Sequence, residues 1–346
     1  MKVKITINNI PCSSLDDVRK AAPQRVWEFI AEFFDDKPYI TAHTSGSTGK
    51  PKPIRLAKSD MVASARFTNA FFGLSSQSTL HLCLSPDYIA GKMMLVRALE
   101  LGANIVIEEP GNRPLANYHG SRISLAAFVP SQIPYLVQNP DRLAMVDAMI
   151  VGGGKLVSRW QNSLVDLGAK AYLTYGMTET CSHVALAPVA KTPQPYTALG
   201  DVQFEVDDND CLIIDVPHFT NSHFETRDVV QLIDSSHFYW KGRFDNVIVT
   251  GGVKVHPEEV EAKIAPLMGD KRFYITSAPS DKWGDEVVLA VEDADLPSVE
   301  PMLQPLPTDL EQRLKQVLPR YSVPKHYVVL NKFPLTSTGK VKRQTF

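Results

Sequence analysis

Along the chain the spacing of apolar and polar positions changes period several times, and each change marks an element. Residues 2–7 alternate with the period of a strand, whereas Val26, Trp27, Phe29, Ile30, Phe33 and Phe34 share one helical stripe over 24–34. Ser59 is placed to cap a helix running to about Phe72, with Gly73 positioned to end it. Short apolar runs then alternate with helical stripes. Strands are predicted over 80–84, 104–107, 125–129, 148–151 and 171–174, and helices over 92–101 and 157–167. Alternation of this kind specifies a layered α/β fold with a largely parallel sheet.

From about Gly200 the pattern shifts. The apolar runs 202–206 and 211–216 flank Asp207-Asp208-Asn209-Asp210, a turn-forming cluster that predicts a β-hairpin within a small β-rich subdomain. Beyond Asp245 the order is helix (257–264), strand (273–277), strand (287–291), helix (309–317) and strand (327–330), enough for a separate α+β domain. The expected division is therefore a large N-terminal α/β domain over 1–244 and a small, mobile α+β C-terminal lid over 245–346. The stretch 292–307, rich in proline and acids, reads as a surface connection.

Composition narrows the partners. A chain of 346 residues with 44% hydrophobic content can bury a large core. Lys plus Arg (36) nearly balances Asp plus Glu (38), so no net field draws it to nucleic acid or an anionic membrane, and small molecules are the expected partners. Cys12, Cys83, Cys181 and Cys211 form no Cys-x-x-Cys or Cys/His cluster, which argues against structural zinc and a disulfide framework. A reducing cytoplasm is expected. No apolar run approaches the roughly 18 residues of a membrane span, so neither export nor insertion is expected.

Five polar or glycine-rich stretches carry candidate chemistry. In Thr44-Ser45-Gly46-Ser47-Thr48-Gly49-Lys50-Pro51-Lys52 the glycines free the backbone to aim N–H groups at an anion, and hydroxyls and lysines add donors and charge. Such a stretch reads as a phosphate cradle, though a solvated Ser/Gly linker shares much of its composition. A Walker A loop is excluded, because Pro51 stands where that motif needs Ser or Thr. Gly152-Gly153-Gly154 follows a predicted strand, and offers either a tight turn or bare backbone for a base or phosphate. Tyr175-Gly176-Met177-Thr178-Glu179-Thr180 runs off another strand end, where open α/β sheets bind ligands. There Glu179 can ligate Mg²⁺ and Thr178 a phosphate, with helix capping as the plain alternative. Asp228 and Arg243 can hold ribose hydroxyls or form a surface ion pair. Lys340, after Gly339, sits on a catalytic loop or on a fraying tail.

Taken in order, these stretches resemble the acyl-adenylate-forming superfamily, which includes acyl-CoA synthetases, aryl-CoA ligases, luciferases and peptide-synthetase adenylation domains. The resemblance runs from Thr44 to Lys340. It implies ATP, Mg²⁺ and coenzyme A as cofactors and a small-molecule carboxylate as substrate. By the same resemblance, Thr44, Ser45, Gly46, Ser47, Thr48, Gly49 and Lys50 hold phosphates, and Gly152, Gly153 and Gly154 line the adenine pocket. Tyr175 stacks on the base within the motif Tyr175-Gly176-Met177-Thr178-Glu179. Asp228 and Arg243 hold the ribose, Glu179 ligates Mg²⁺, Asp245 is the hinge, Gly251 and Gly252 line the pantetheine passage, and Lys340 is the catalytic lysine. Two departures stand out: Thr226-Arg227-Asp228 replaces Thr-Gly-Asp, and Pro53 replaces a glycine after Lys52.

Little chain precedes Thr44 where the superfamily usually has a whole subdomain. With Leu84-Ser85-Pro86-Asp87-Tyr88-Ile89-Ala90-Gly91-Lys92-Met93-Met94 in the acyl-pocket position, the chain resembles a compact form of the o-succinylbenzoate–CoA ligases of menaquinone biosynthesis. Tyr88 then takes the place of a gating histidine. An aromatic dicarboxylate needs an anchor for its distal group, and Lys92, Arg97, Ser131 and Gln132 are candidates. Other readings are another aryl- or acyl-CoA synthetase, an adenylation domain loading a carrier protein, and a non-catalytic nucleotide-binding relative. The presence of both Glu179 and Lys340 argues against the last.

Overall fold

A computed structural model describes residues 3–43, 53–295, 301–335 and 341–346. The chain divides into two compact units, one of residues 1–204, 214–224 and 233–238, the other of 205–213, 225–232 and 239–346.

In the first unit, strands β1 (Ile5–Ile7) and β2 (Ile10–Cys12) form a hairpin around Asn8 and Asn9, both at positive φ. That backbone suits asparagine and ends the strand expected over 2–7, which forms over Ile5–Ile7. Helix α1 (Leu15–Ala21) begins at a capping box between Ser14 and Asp17. Helix α2 (Gln24–Phe33) buries Val26, Phe29, Ile30 and Phe33, the core of the predicted stripe. Strands β3 (Tyr39–His43) and β4 (Pro53–Ala57) pair antiparallel.

Helix α3 (Lys58–Phe71) corrects one expectation. Ala57, not Ser59, occupies the N-cap, and the Ser59 hydroxyl donates instead to Asp60 (3.1 Å). Asp60 is buried and accepts from both the backbone N–H and the hydroxyl of Thr220. Gly73, at φ 62°, closes the helix as predicted.

Then follow β5 (Thr79–Leu82), α4 (Ile89–Leu101), β6 (Asn104–Ile107), β7 (Leu125–Phe128), α5 (Ile133–Gln138), α6 (Pro140–Leu143), β8 (Met149–Val151), α7 (Ser158–Asp166), β9 (Ala171–Gly176), β10 (His183–Pro188) and β11 (Tyr196–Ala198). Strands β1, β6, β5, β7, β8 and β9 are neighbours in that order and all parallel, while β10 and β11 continue antiparallel. Every residue of β5, β7 and β8 is buried, as expected of parallel strands covered on both faces. Phe128, Met149 and Val151 pack with Ile133, Leu136 and Leu164 of the covering helices. This is the predicted α/β core, and it brings the ends of β7, β8 and β9 side by side.

Strands β12 (Gln203–Val206), β13 (Cys211–Asp215), β14 (His223–Asp234) and β15 (His237–Arg243) supply the β-rich part. The predicted turn forms: the Asp207 carboxylate accepts from the N–H groups of Asn209 and Cys211.

The second unit carries β16 (Ile248–Thr250), β17 (Val253–Val255), α8 (Pro257–Met268), β18 (Phe273–Ser280), β19 (Gly284–Glu292), β20 (Gln304–Pro305), α9 (Thr308–Val317) and β21 (His326–Leu330). Its mixed sheet buries both faces of β19. Val287, Leu289 and Val291 meet Val260, Ile264 and Leu314 of the helices, while Val288 and Ala290 meet Tyr274, Val328 and Phe333.

Beneath α8 lies a buried ion cluster. Arg343 binds Glu261 through both terminal nitrogens, donates to the Ile275 carbonyl (2.6 Å) and reaches Glu258 (3.3 Å). Replacing Arg343 with Met leaves two buried carboxylates without their cation. Loss of about 3–5 kcal/mol is expected, read as a lower urea midpoint, and an unchanged midpoint contradicts the clamp.

Candidate active site

The sequence-predicted residues fall on both units. Those of Thr44, Ser45, Gly46, Ser47, Thr48, Gly49 and Lys50, together with Lys340, lie outside the described residues.

In the first unit, Gly152 follows β8 and donates its N–H to the Phe128 carbonyl (3.1 Å). A Cβ there would stand 2.3 Å from the Thr174 hydroxyl, so close packing against β9 requires glycine. Gly153, at φ 81°, and Gly154 meet only Val129 and Pro130 at van der Waals distance, leaving an open backbone floor that fits a flat base.

Tyr175 is the penultimate residue of β9, its ring against Phe238 (5.0 Å) and Tyr196 (5.8 Å), half-buried in an aromatic cluster. The segment after it is tightly built. Thr180 is fully buried; its side-chain oxygen accepts from the Met177 N–H (3.1 Å) and lies within hydrogen-bond reach of the Met177 and Ser182 carbonyls. Cys181 takes φ 60°, a conformation that L residues seldom adopt. Around this pivot Thr178 is half-buried and Glu179 exposed, the Glu179 carboxylate meeting no hydrogen-bond or ion-pair partner among the described residues. A lone exposed carboxylate fits Mg²⁺, which takes few protein ligands and draws the rest from phosphate and water. The described residues contain no group of three or more His, Cys, Asp or Glu that could hold a metal ion.

The acyl-pocket candidates differ in environment. Tyr88 precedes α4 and is exposed. Lys92 is buried, its ammonium over the Phe29 ring (4.7 Å), and desolvation lowers its pKa against the pull of Glu32 and Asp87. Ser131 is exposed and donates to Asn112 (3.1 Å). Gln132 is buried, accepts from the Val129 N–H (2.9 Å) and donates to the Gly111 carbonyl (2.7 Å), which engages both ends of its amide.

Arg97 is the unusual one. Its guanidinium is 1% exposed in a helix otherwise packed by Met93, Met94, Leu95 and Val96, and no carboxylate pairs with it among the described residues. One terminal nitrogen donates to the Ser182 hydroxyl (2.9 Å), the other reaches the Met94 sulfur (3.3 Å), and Nε has no partner among the described residues. Burial pulls its pKa down to about 9.

Sequence reasoning missed Thr68, Ser182 and His183, which gather behind Arg97. The available signal was a charged residue inside the apolar stretch of α4, which asks for polar company once buried.

In the second unit, Asp228 accepts from the Trp240 indole (3.2 Å) and lies 3.7 Å from Arg243. Asp245 accepts from Arg243 (2.9 Å) and Arg227. Burial works to raise the Asp245 carboxyl, but those hydrogen bonds outweigh it and hold the group below its ordinary range. The ribose and hinge candidates are thus one charge network, and Arg227, the departure from Thr-Gly-Asp, is part of it. Gly251 and Gly252, at φ 56° and 79°, form the turn between β16 and β17. Gly251 is backed by Trp283 and Tyr321 while Gly252 is open, which fits the passage of a thin chain.

A parallel α/β sheet with glycine-rich turns at its strand ends defines a nucleotide-binding architecture. Residues 2–219 match the family model for AMP-binding enzymes, and the chain belongs to that family. It is 25% identical to the 2-succinylbenzoate–CoA ligase of Enterococcus faecalis, covering 88% of this chain and 68% of that protein. Identity to the enzyme of the same name from Staphylococcus aureus strain Newman is also 25%, covering 87% and 65%. The chain therefore spans about two thirds of the length of these curated relatives. Among solved structures, an acyl-CoA synthetase (AMP-forming)/AMP-acid ligase II-like protein from Dyadobacter fermentans is 31% identical with TM-score 0.59, covering 92% and 91%. The o-succinylbenzoate CoA synthetase of Bacillus subtilis, bound to its acyl-adenylate, aligns with TM-score 0.72 at 19% identity, covering 88% and 67%, a likeness of fold.

Gly176 generates a prediction. Its Cβ would sit 2.2 Å from the Ser182 carbonyl and 2.5 Å from the His183 Cα, both backbone atoms that cannot step aside. Gly176→Ala should therefore cost about 1–3 kcal/mol, as overpacking does, and weaken AMP binding together with stability. Thermal unfolding and calorimetric titration with AMP check both.

Proposed function

We propose that this chain is an ATP-dependent acid–thiol ligase that adenylates o-succinylbenzoate and transfers the acyl group to CoA, in the cytoplasm, as a step of menaquinone biosynthesis. The observation that carries the reading is Arg97, a buried cation without an anionic partner among the described residues, hydrogen-bonded to Ser182, three residues after Glu179. A second carboxylate on the substrate is the group that such a cation lacks. Family membership supports the nucleotide chemistry, and the names of the curated relatives support the acid. The four cysteines are buried and free, which favours a reducing compartment, and no helix among the described residues is long and apolar enough to cross a membrane.

In the first half-reaction a carboxylate oxygen of the acid bonds to the α-phosphorus of ATP and the bond to the β-phosphate bridge breaks, releasing pyrophosphate. Anions are brought together in that step, so this chain's donors must offset their repulsion. Thr44, Ser45, Gly46, Ser47, Thr48, Gly49 and Lys50 would hold the phosphates, with Thr178 beside them. Glu179 would hold Mg²⁺, which supplies further charge neutralisation. Tyr175 and Gly152, Gly153 and Gly154 would receive the base, Asp228 and Arg243 the ribose, and Lys340 the charge between carboxylate and α-phosphate. In the second half-reaction the CoA sulfur bonds to the acyl carbon, AMP leaves and the thiol proton passes to solvent. Residues 245–346 would act as a lid turning about Asp245, with Gly251 and Gly252 along the pantetheine path, while 1–244 bind nucleotide and acid.

Pyrophosphate release with o-succinylbenzoate, benzoate and medium-chain fatty acids, each with and without CoA, tests the reading. O-succinylbenzoate should be preferred, and equal rates with a monocarboxylate overturn the choice of acid. Arg97→Met should lower kcat/KM for o-succinylbenzoate by at least roughly thirtyfold, the scale of stranding a buried charge partner.

Lys340→Ala separates the half-reactions. Acyl-AMP formation should fall by roughly two to three powers of ten, the scale of one preorganised donor, while supplied acyl-AMP plus CoA still gives thioester at the parent rate. Equal losses in both steps, or none in adenylation, refute the assignment.

A further inference from the structure

Four side chains from separate parts of the first unit form one hydrogen-bonded line. Arg97 donates to the Ser182 hydroxyl (2.9 Å), which lies 3.3 Å from Nδ1 of His183. Nε2 of His183 lies 3.0 Å from the Thr68 hydroxyl, and Thr68 donates to the Ser64 carbonyl in its own helix (3.3 Å). Thr68 is fully buried and His183 is 7% exposed, so neither can exchange these partners for water.

The direction of every bond in the line follows from its ends. The guanidinium has only donors, so the Ser182 oxygen accepts from it, and because the Thr68 hydroxyl gives its proton to the Ser64 carbonyl, the Thr68 oxygen must accept from Nε2 of His183. Nδ1 is then the acceptor, and His183 is the neutral tautomer protonated on Nε2. Nε2 donates to Thr68, whose own proton goes to the Ser64 carbonyl. Desolvation, and next to it the Arg97 charge, hold the His183 pKa well below its ordinary value, which agrees with a neutral ring.

Local backbone devices deliver His183 to this position. The pairing of β9 with β10 shifts register between His183 and Ala185, a bulge that re-aims the side chain at the strand's start. Gly176 opposite lets the Ser182 and His183 backbone approach within contact, and Cys181 at positive φ turns the chain into it.

We propose that His183 is a positioning residue that sets the acid selectivity of the site: through Ser182 it holds the Arg97 guanidinium in one orientation to receive the second carboxylate of an aromatic dicarboxylic acid. The inference rests on the substrate reading above and adds to it a residue that touches no substrate. His183→Leu removes the acceptor for the Ser182 proton and lets the hydroxyl and guanidinium rotate. His183→Gln keeps one acceptor and one donor on a side chain of similar reach.

The experiment measures kcat/KM for o-succinylbenzoate and for benzoate in the parent chain and in His183→Leu, His183→Gln and Ser182→Ala. His183→Leu should reduce the ratio of the two by roughly tenfold or more, the scale of a hydrogen bond to a charged group, mainly through KM for the dicarboxylate. Gln should restore most of the ratio, and Ser182→Ala, on a half-exposed side chain, should reproduce the loss if the leucine variant does not fold. Nitrogen NMR of the parent chain should show the Nε2–H tautomer. Equal losses on both acids, an unchanged ratio or an Nδ1–H tautomer each overturn the inference. A parent chain that does not prefer the dicarboxylate overturns the substrate reading itself, and this inference with it. A parent preference that survives in His183→Leu removes only the positioning role.

Discussion

The buried charge of Arg97 is the constraint around which the site of the first unit is arranged. Even after relaxation, taking one ion out of water costs several kcal/mol, and burial pulls this pKa only to about 9, so near neutrality the group still carries its charge. With no carboxylate beside it among the described residues, the charge must be met by dipoles. The Ser182 oxygen is the strongest of these, and its 2.9 Å approach depends on the Gly176 gap, the Cys181 turn and the buried Thr180 pivot. Features that look like local irregularities in β9 and β10 have one purpose in common.

The second unit resolves the same problem in the opposite way. Arg343 is matched by two carboxylates and a carbonyl, and its partner Glu258 also accepts from Asn246 (2.6 Å), beside the Asp245 hinge candidate. Gly242 lies so near that a Cβ would stand 2.3 Å from the Glu258 carboxylate. A cluster whose cation is matched by carboxylates in this way acts as a brace. The contrast between a matched and an unmatched buried arginine is the ground on which Arg343 is read as structural and Arg97 is proposed as an anion site.

Much of the fold was legible because its central strands are buried on both faces, so that β5, β7 and β8 read as plain apolar runs and the helices between them as stripes. Legibility failed where burial no longer dictates pattern. Strand β10 begins with His183, a polar residue turned inward by a bulge, and β14 carries the polar run Glu225-Thr226-Arg227-Asp228 before its apolar pairs, with no strand period. The start of α3 was misread because Ser59 has the right chemistry for a cap but spends it on Asp60, leaving Ala57 to begin the helix. Within the site, Gly152 to Gly154 and Tyr175 to Glu179 were readable as contiguous motifs at strand ends. Arg97 was readable as a candidate anchor, but its company of Thr68 and His183 was not, since α3, α4 and β10 contribute one residue each and only tertiary packing brings them into line.

Under the proposed reading, a neutral histidine behind a buried arginine also accounts for discrimination by charge. Two unit charges 4 Å apart at an effective dielectric of about 20 repel by roughly 4 kcal/mol, so a second proton on the ring is disfavoured and His183 stays neutral. The site then holds a single positive charge of set direction. An incoming carboxylate turns that stranded cation into a hydrogen-bonded pair and recovers part of its desolvation cost, whereas an acid without a second carboxylate leaves the cost in place. Selectivity by this route comes less from attraction to the right ligand than from the unfavourable state in which the wrong one leaves the protein.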